Sequence, residues 1–248
     1  MSTLLLALIA GAVIGLALGA LGGGGSVLAV PALIYLLDFT PAAATTASLI
    51  IVTATSATAL YAHATSGNVR WKTGALFAAA GILPAVAAAT LAARLPGQVL
   101  TGAFAAIAGV AALRMLKPPK AEKEFRPVQP VRAAGAGAGL GAVTGFLGVG
   151  GGFLAVPALV GVLGLRMRAA VGTSLLVITV NSLAALTART GSPAPLHWAV
   201  IAPFTGAAIL GAWDGKRLAA KITGPILQRI FAVTLLAVAA FMLTDAIR

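Results

Sequence analysis

Residues 15–33 read GLALGALGGGGSVLAVPAL, and residues 141–159 read GAVTGFLGVGGGFLAVPAL. The two stretches align without a gap at an offset of 126, with 12 identities in 19 positions. A Gly/Ala-rich composition alone does not account for the shared GGxxxAVPAL core. The likeness continues downstream, where Thr46-Ala47-Ser48-Leu49 faces Gly172-Thr173-Ser174-Leu175. With one residue inserted, Trp71 pairs with Trp198, Phe104 with Phe231 and Met115 with Met242. The chain therefore reads as a duplication, with repeats at 1–116 and 133–248. Between them, 117–132 (KPPKAEKEFRPVQPVR) is charged and Pro-rich, cannot enter hydrocarbon, and reads as a linker.

Composition fixes the class of protein. Of 248 residues, 60% are apolar and 9% charged, against about 25% charged in an ordinary soluble domain. Mean hydropathy is +1.03. These values exclude a soluble globular domain, a disordered chain and a coiled coil, and the alternating pattern of an outer-membrane barrel is absent. A polytopic all-α membrane protein remains. The net charge of +12 does not point to nucleic acid, because the cations sit between apolar runs, where a membrane protein collects them in its cytoplasmic loops. With no cysteine there is no disulfide, thiolate metal site or cysteine nucleophile. The start, Met1-Ser2-Thr3-Leu4, lacks a positive n-region and is not read as a cleaved signal peptide.

Each repeat divides into five apolar segments, at about 4–21, 27–37, 41–62, 73–93 and 98–116, then 133–147, 153–165, 169–188, 197–213 and 225–244. Thr40-Pro41 and Gly224-Pro225 read as helix starts, whereas Pro84 and Pro203 fall inside segments and are expected to kink or interrupt them. Segment 27–37 has eleven residues, about half of what a ~30 Å hydrocarbon core requires. It and 153–165 follow Gly22–Gly25 and Gly148–Gly152 with no polar loop between. Such a break is a discontinuous helix or a re-entrant hairpin, tolerated only against protein or a water-filled cavity.

Five segments per repeat makes the second repeat inverted relative to the first. With a cytoplasmic linker and every segment reversing direction, fourteen Lys and Arg fall inside and three (Arg94, Arg189, Arg248) outside, as the positive-inside rule requires. Both termini are then extracytoplasmic.

An inverted repeat with helices broken at matching positions is the sequence signature of a transporter's central site. Glycines leave backbone N–H groups uncovered, and a helix starting after them aims its positive end at the break. Two such ends approaching from opposite sides suit a small anion. Gly24, Gly25 and Ser26 in one repeat, and Gly150, Gly151 and Gly152 in the other, are the leading candidates. The spaced Gly11, Gly15, Gly19 and Gly137, Gly141, Gly145 read instead as packing glycines. The third segments add Thr46, Ser48, Thr173, Ser174 and Asn181, among a wider set that includes Thr55, Ser56, Thr179 and Ser182. Thr55 and Asn181 are repeat-equivalent, and Asn181 is the carboxamide deep inside a span, where a polar group needs a partner. Against this, Ser and Thr in membrane helices often bond the preceding turn. The repeat-equivalent His63 and Arg189 sit near opposite mouths, as anion-attracting or gating residues or as simple interface markers. Trp71, Trp198, Tyr61 and Trp213 fit interfacial belts.

No Asp or Glu falls inside a predicted span, which disfavours a carboxylate proton relay or a carboxylate-lined cation path. The phosphate-loop, H-E-x-x-H and G-x-S-x-G motifs are absent. No enzyme activity, cofactor or metal is expected, and ATP-driven transport would require another subunit.

The paired glycine motifs at Gly15–Leu33 and Gly141–Leu159, the two halves, the charged linker and the Trp after each third segment resemble the TauE/SafE family of sulfite exporter-like permeases. On the motif fall Gly22, Gly24, Gly25 and Pro31, and Gly148, Gly150, Gly151 and Pro157. The first copy has Ser26 where the second has Gly152, which makes the half-sites chemically unequal. The resemblance implies transport of sulfite or an organosulfonate across a bacterial-type inner membrane. A channel or a carboxylate carrier on the same scaffold, and a non-transporting subunit that docks a partner through the linker, stay open. The expected partners are the sulfur anion, the lipid bilayer and at most a second copy in a homodimer.

Overall fold

The structure, a computed structural model, describes residues 2–92, 97–116, 130–147, 152–187 and 196–247. All regular structure among them is α-helical. The first repeat holds α1 (Ser2–Leu21), α2 (Gly23–Tyr35), α3 (Pro41–Ala64), α4 (Trp71–Ala92) and α5 (Gly97–Leu116). The second holds α6 (Pro130–Leu147), α7 (Gly152–Gly161), α8 (Met167–Thr187), α9 (Trp198–Lys221) and α10 (Gly224–Ile247). Within α1, α3, α4, α8 and α10, stretches are long and apolar enough to cross a membrane. By contrast α2, with 13 residues, and α7, with 10, are about 20 and 15 Å long and reach roughly halfway.

Three expectations change. Pro84 and Pro203 do not interrupt their segments: α4 and α9 run through them. The fourth segment of the second repeat does not stop at 213, since α9 carries Asp214, Lys216, Arg217 and Lys221 on to Lys221. Asp214 and Arg217 pair at 3.4 Å on its exposed flank, so this is a helix that continues out of the apolar layer. Helix α6 begins at Pro130, with proline in the first turn where its missing N–H is harmless. The rest of the linker, 117–129, lies outside the described residues.

Packing follows the duplication. Exchange helix n of one repeat for helix n of the other and the pairing is preserved: α1 packs on α9 as α4 packs on α6, while α3 meets α8, α2 meets α7 and α5 meets α10. Lipid tails are as apolar as leucine, so helix association in a membrane depends on close van der Waals contact. The glycines supply it. Gly11, Gly15 and Gly19 press on the backbone at Phe204, Ala208 and Ala212. Their repeat mates Gly137 and Gly141 press on Phe77 and Gly81. In both seams the residue numbers rise together, so each pair of helices is parallel. One apolar core forms beside each seam, one around Ile14, Leu33, Ile201 and Phe204 and the other around Phe77, Leu159, Leu140 and Phe231.

The turn after each short helix repeats as well. The Phe39 amide donates to the Leu33 carbonyl, and the Leu165 amide to the Leu159 carbonyl, each at 3.0 Å. The left-handed residue that this cap needs is Asp38 in one copy and Gly164 in the other.

Candidate functional site

The site is built from the starts of α2 and α7. A single residue, Gly22, makes the reversal from α1 to α2: its φ of 67° is open to glycine and strained for other side chains. Gly23, Gly24 and Gly25 therefore do not precede the short helix, as a segment starting at 27 implied, but form the first turn of α2. A helix's first turn leaves its N–H groups without carbonyls four residues back; the Gly25 amide here reaches the Gly22 carbonyl at 3.4 Å, and only glycine covers the amides of Gly23 and Gly24. Gly25 also lets α2 fold tightly back on α1, since a Cβ there would lie 2.6 Å from the Leu18 Cα.

The two short helices start against each other. A Cβ on Gly152 would lie 2.7 Å from the Ser26 Oγ and 2.7 Å from the Ile178 Cγ1. The two N-terminal turns thus meet beside the middle of α8. Ser26 donates its hydroxyl proton to the Gly23 carbonyl at 2.7 Å, which parks it at the rim of this junction. Gly150 and Gly151 lie outside the described residues.

The third helices flank the junction. Ser174 donates to the Val171 carbonyl at 2.8 Å and lies against Gly22; its repeat mate Ser48 donates to the Thr45 carbonyl at 2.9 Å. Asn181 is half-buried with its Oδ1 buried and unpartnered, one turn beyond Ile178 on α8. One candidate does other work. Thr173 is fully buried and accepts the Arg70 backbone N–H at 3.1 Å, fastening the α3–α4 turn to α8. Thr46 is half-buried on α3, one turn from that helix's start.

His63, expected at a mouth, is buried, with 4% of its surface exposed. Its Nε2 lies 3.0 Å from the Gly19 carbonyl oxygen, so it ties the end of α3 to the end of α1 just before the Gly22 reversal. Arg189 lies outside the described residues. His197 precedes α9 and meets the Phe39 ring edge-on.

The α3–α8 crossing is where sequence reasoning stopped short. Ser56 and Thr179 lie 2.9 Å apart, oxygen to oxygen. Thr55 Oγ1 and Ser182 Oγ are buried with no hydrogen-bond partner. The repeat alignment held the signal, because Thr53-Ala54-Thr55-Ser56 and Thr179-Val180-Asn181-Ser182 occupy matching positions, each with a polar residue at three of four places.

Charge is sorted by end. Arg168 donates to the Ala220 and Ile222 carbonyls at 3.1 and 3.2 Å, Gly172 packs on Asn68, and Gln228 donates to the Met115 carbonyl at 2.7 Å. These contacts gather the α3–α4, α7–α8 and α9–α10 turns and the end of α5 at one pole, with Arg70, Lys72, Arg114, Arg166, Lys216 and Arg229 among the cations there. Asp38 stands at the other pole, next to Phe39 and His197.

The profile of the Sulfite exporter TauE/SafE family matches residues 7–242. The chain belongs to the TauE/SafE family. Among its relatives is a protein described as "Probable membrane transporter protein" from Xylella fastidiosa (strain 9a5c), 34% identical over 241 residues, which cover 94% of this chain and 92% of the relative. Another with the same description, from Xylella fastidiosa (strain Temecula1 / ATCC 700964), is 33% identical over 242 residues with the same coverage. This TauE/SafE chain is thus a multi-pass membrane protein of a transporter family, and the matched region takes in both short helices and both glycine seams.

Proposed function

We propose that the protein is a secondary transporter or uniporter that moves a small sulfur-containing anion, sulfite or an organosulfonate, across the inner membrane. The observation that carries this reading is the Ser26 hydroxyl beside Gly152. It brings two helix N-termini, one opening on Gly23, Gly24 and Gly25 and the other on Gly152, to one junction between the repeats. Positive helix ends and free N–H groups favour an anion. A sulfonate or sulfite offers three acceptor oxygens, enough to engage N–H donors from both helix starts, and the Ser26 hydroxyl becomes a further donor once it turns from the Gly23 carbonyl to the anion.

Alternating access follows if the repeats are inverted about this junction and rock against each other. The parallel packing of α1 on α9 and of α4 on α6 supports inversion. From α1 to α4 the chain reverses at Gly22, at 36–40 and at 65–70, so α4 runs against α1. Because α6 runs with α4, it too runs against α1, its repeat mate. Gathering of the cations at one pole supports a cytoplasmic assignment for that end, with both termini and Asp38 on the far side.

The test is thermal unfolding of the purified protein against sulfite, thiosulfate, sulfoacetate, taurine and simple carboxylates, since a ligand that binds only the folded state raises Tm. Stabilisation by one or more sulfur anions is expected. Stabilisation by carboxylates with the sulfur anions inert would make the protein a carboxylate carrier. In proteoliposomes, saturable flux accelerated by counter-substrate is expected; flux that never saturates would make it a channel.

A further inference from the structure

The α3–α8 crossing carries oxygens that an anion does not use. Thr179 donates its proton to the Leu175 carbonyl at 2.7 Å, and Thr53 donates to the Leu49 carbonyl at 2.6 Å. Ser56 reaches the Thr53 carbonyl at 3.3 Å and the Thr179 hydroxyl at 2.9 Å. A hydroxyl whose proton is spent on its own helix turns only lone pairs outward. Beside these stand Thr55 Oγ1, Ser182 Oγ and Asn181 Oδ1, all buried and unpartnered. Thr55 exposes 1% of its surface and Ser182 2%, and an amide oxygen can only accept.

These oxygens share one level. Ser56 meets Thr179, and Asn68, beyond the end of α3, lies against Gly172, so the helices are antiparallel. That register sets Thr53 opposite Ser182 and Thr55 opposite Val180, next to Asn181. Six side-chain oxygens thus fall within about one turn of two helices, and neither helix contains an acidic residue. Buried oxygens without partners are rare in folded proteins and call for an explanation.

We propose that this crossing binds a small monovalent cation, sodium or one like it. Neutral hydroxyl and amide oxygens suit a hard cation, and a set without carboxylates suits a single charge better than a divalent ion. The site adjoins the anion junction, because Gly152 packs on Ile178, the residue before Thr179. Here the inference rests on the proposed function. An anion at the helix ends offsets their positive potential and draws the cation in, so each ion raises the other's affinity by the same factor. Such a pair moves as a unit, which couples anion transport to a cation gradient.

The experiment is thermal unfolding of the full chain in detergent, with sodium, potassium or choline as the cation at constant chloride. Sodium is expected to raise Tm saturably, potassium less and choline not at all. In Thr55→Val and Ser182→Ala the sodium midpoint is expected to rise about tenfold or more, the loss of one good ligand. In choline both variants are expected to be at least as stable as the parent, because each removes an unpaired buried hydroxyl. A Tm indifferent to sodium, or a midpoint unchanged in both variants, overturns the proposal. The anion panel repeated in choline separates the two readings. Full anion stabilisation without sodium removes the coupling and leaves the carrier; a sodium effect with every anion inert removes the carrier and leaves the cation site.

Discussion

Replacing Gly152 with alanine places a methyl group where two starting helices meet. Its nearest neighbours are the Ser26 Oγ and the Ile178 Cγ1, each 2.7 Å from the new carbon. Ordinary carbon contacts begin near 3.5 Å, so both atoms must yield: the Ser26 Oγ ends a side chain that can rotate, whereas Ile178, β-branched and stiff about χ1, must shift by a few tenths of an ångström. The fold is therefore expected to survive, with Tm lowered by the overpacking of one methyl, about 1–2 kcal/mol. The junction is not. Ser26 must leave its bond to the Gly23 carbonyl, and the methyl covers part of the first turn of α7. Loss of one charge-assisted hydrogen bond to a bound anion is worth about 1.5–3 kcal/mol, which is about ten- to a hundredfold in Kd. The assay is isothermal titration of the purified variant with whichever sulfur anion stabilises the parent, together with its melting curve. A folded Gly152→Ala protein that binds that anion with unchanged affinity would refute the placement of the site at the α2–α7 junction.

Two further predictions address the frame around the site. Gly15→Ala and Gly141→Ala each push a methyl into a neighbouring helix backbone: the new carbon would lie 2.6 Å from the Ala208 Cα in the first case and from the Gly81 Cα in the second. Backbone cannot rotate away, so both variants are expected to lose about 3 kcal/mol or more. Gly102→Ala, whose Cβ meets nothing within 4 Å, should hold or gain stability; equal melting curves for all three would contradict the seams. The lack of native cysteine makes topology directly readable. Single cysteines at Asp38 and Lys216 in intact cells should react and fail to react, respectively, with an impermeant maleimide, and the reverse pattern would invert the proposed orientation.

Much of this architecture was legible because the chain states it twice. The ten segments, their order and the two short helices all follow from one alignment and from hydropathy. Periodicity was silent about the rest. Gly22 and Gly25 look alike in sequence, yet one turns the chain through a positive φ and the other seats α2 on α1. His63 carries the interfacial look of a mouth residue, but burial depends on which helix end lies opposite, and here that end is Gly19. Thr173 could not be told from Ser174, because which of two adjacent hydroxyls faces a neighbouring turn is set by the rotation of α8, a tertiary quantity. The extension of α9 past Asp214 was hidden for a simpler reason: a hydropathy reading ends a segment where charge begins, whereas a helix ends where its hydrogen bonds do.

The glycines of this chain do three separate jobs, and the distinction explains how a site of bare backbone persists in a bilayer. At the α1–α9 and α4–α6 seams they bring backbones together, so the cost of any side chain falls on the frame. At Gly22 one glycine allows a helix to end and the next to begin without a polar loop. At the start of α2, and at Gly152 opening α7, glycine leaves backbone uncovered where the two repeats meet. Exposed backbone donors cannot face lipid, so the third use depends on the first: the seams must hold α1, α4, α6 and α9 tightly enough to keep hydrocarbon away from the junction. The two copies are then free to differ where a ligand is contacted. They do so at Ser26 and Gly152, where one copy brings a hydroxyl and the other leaves the room for it.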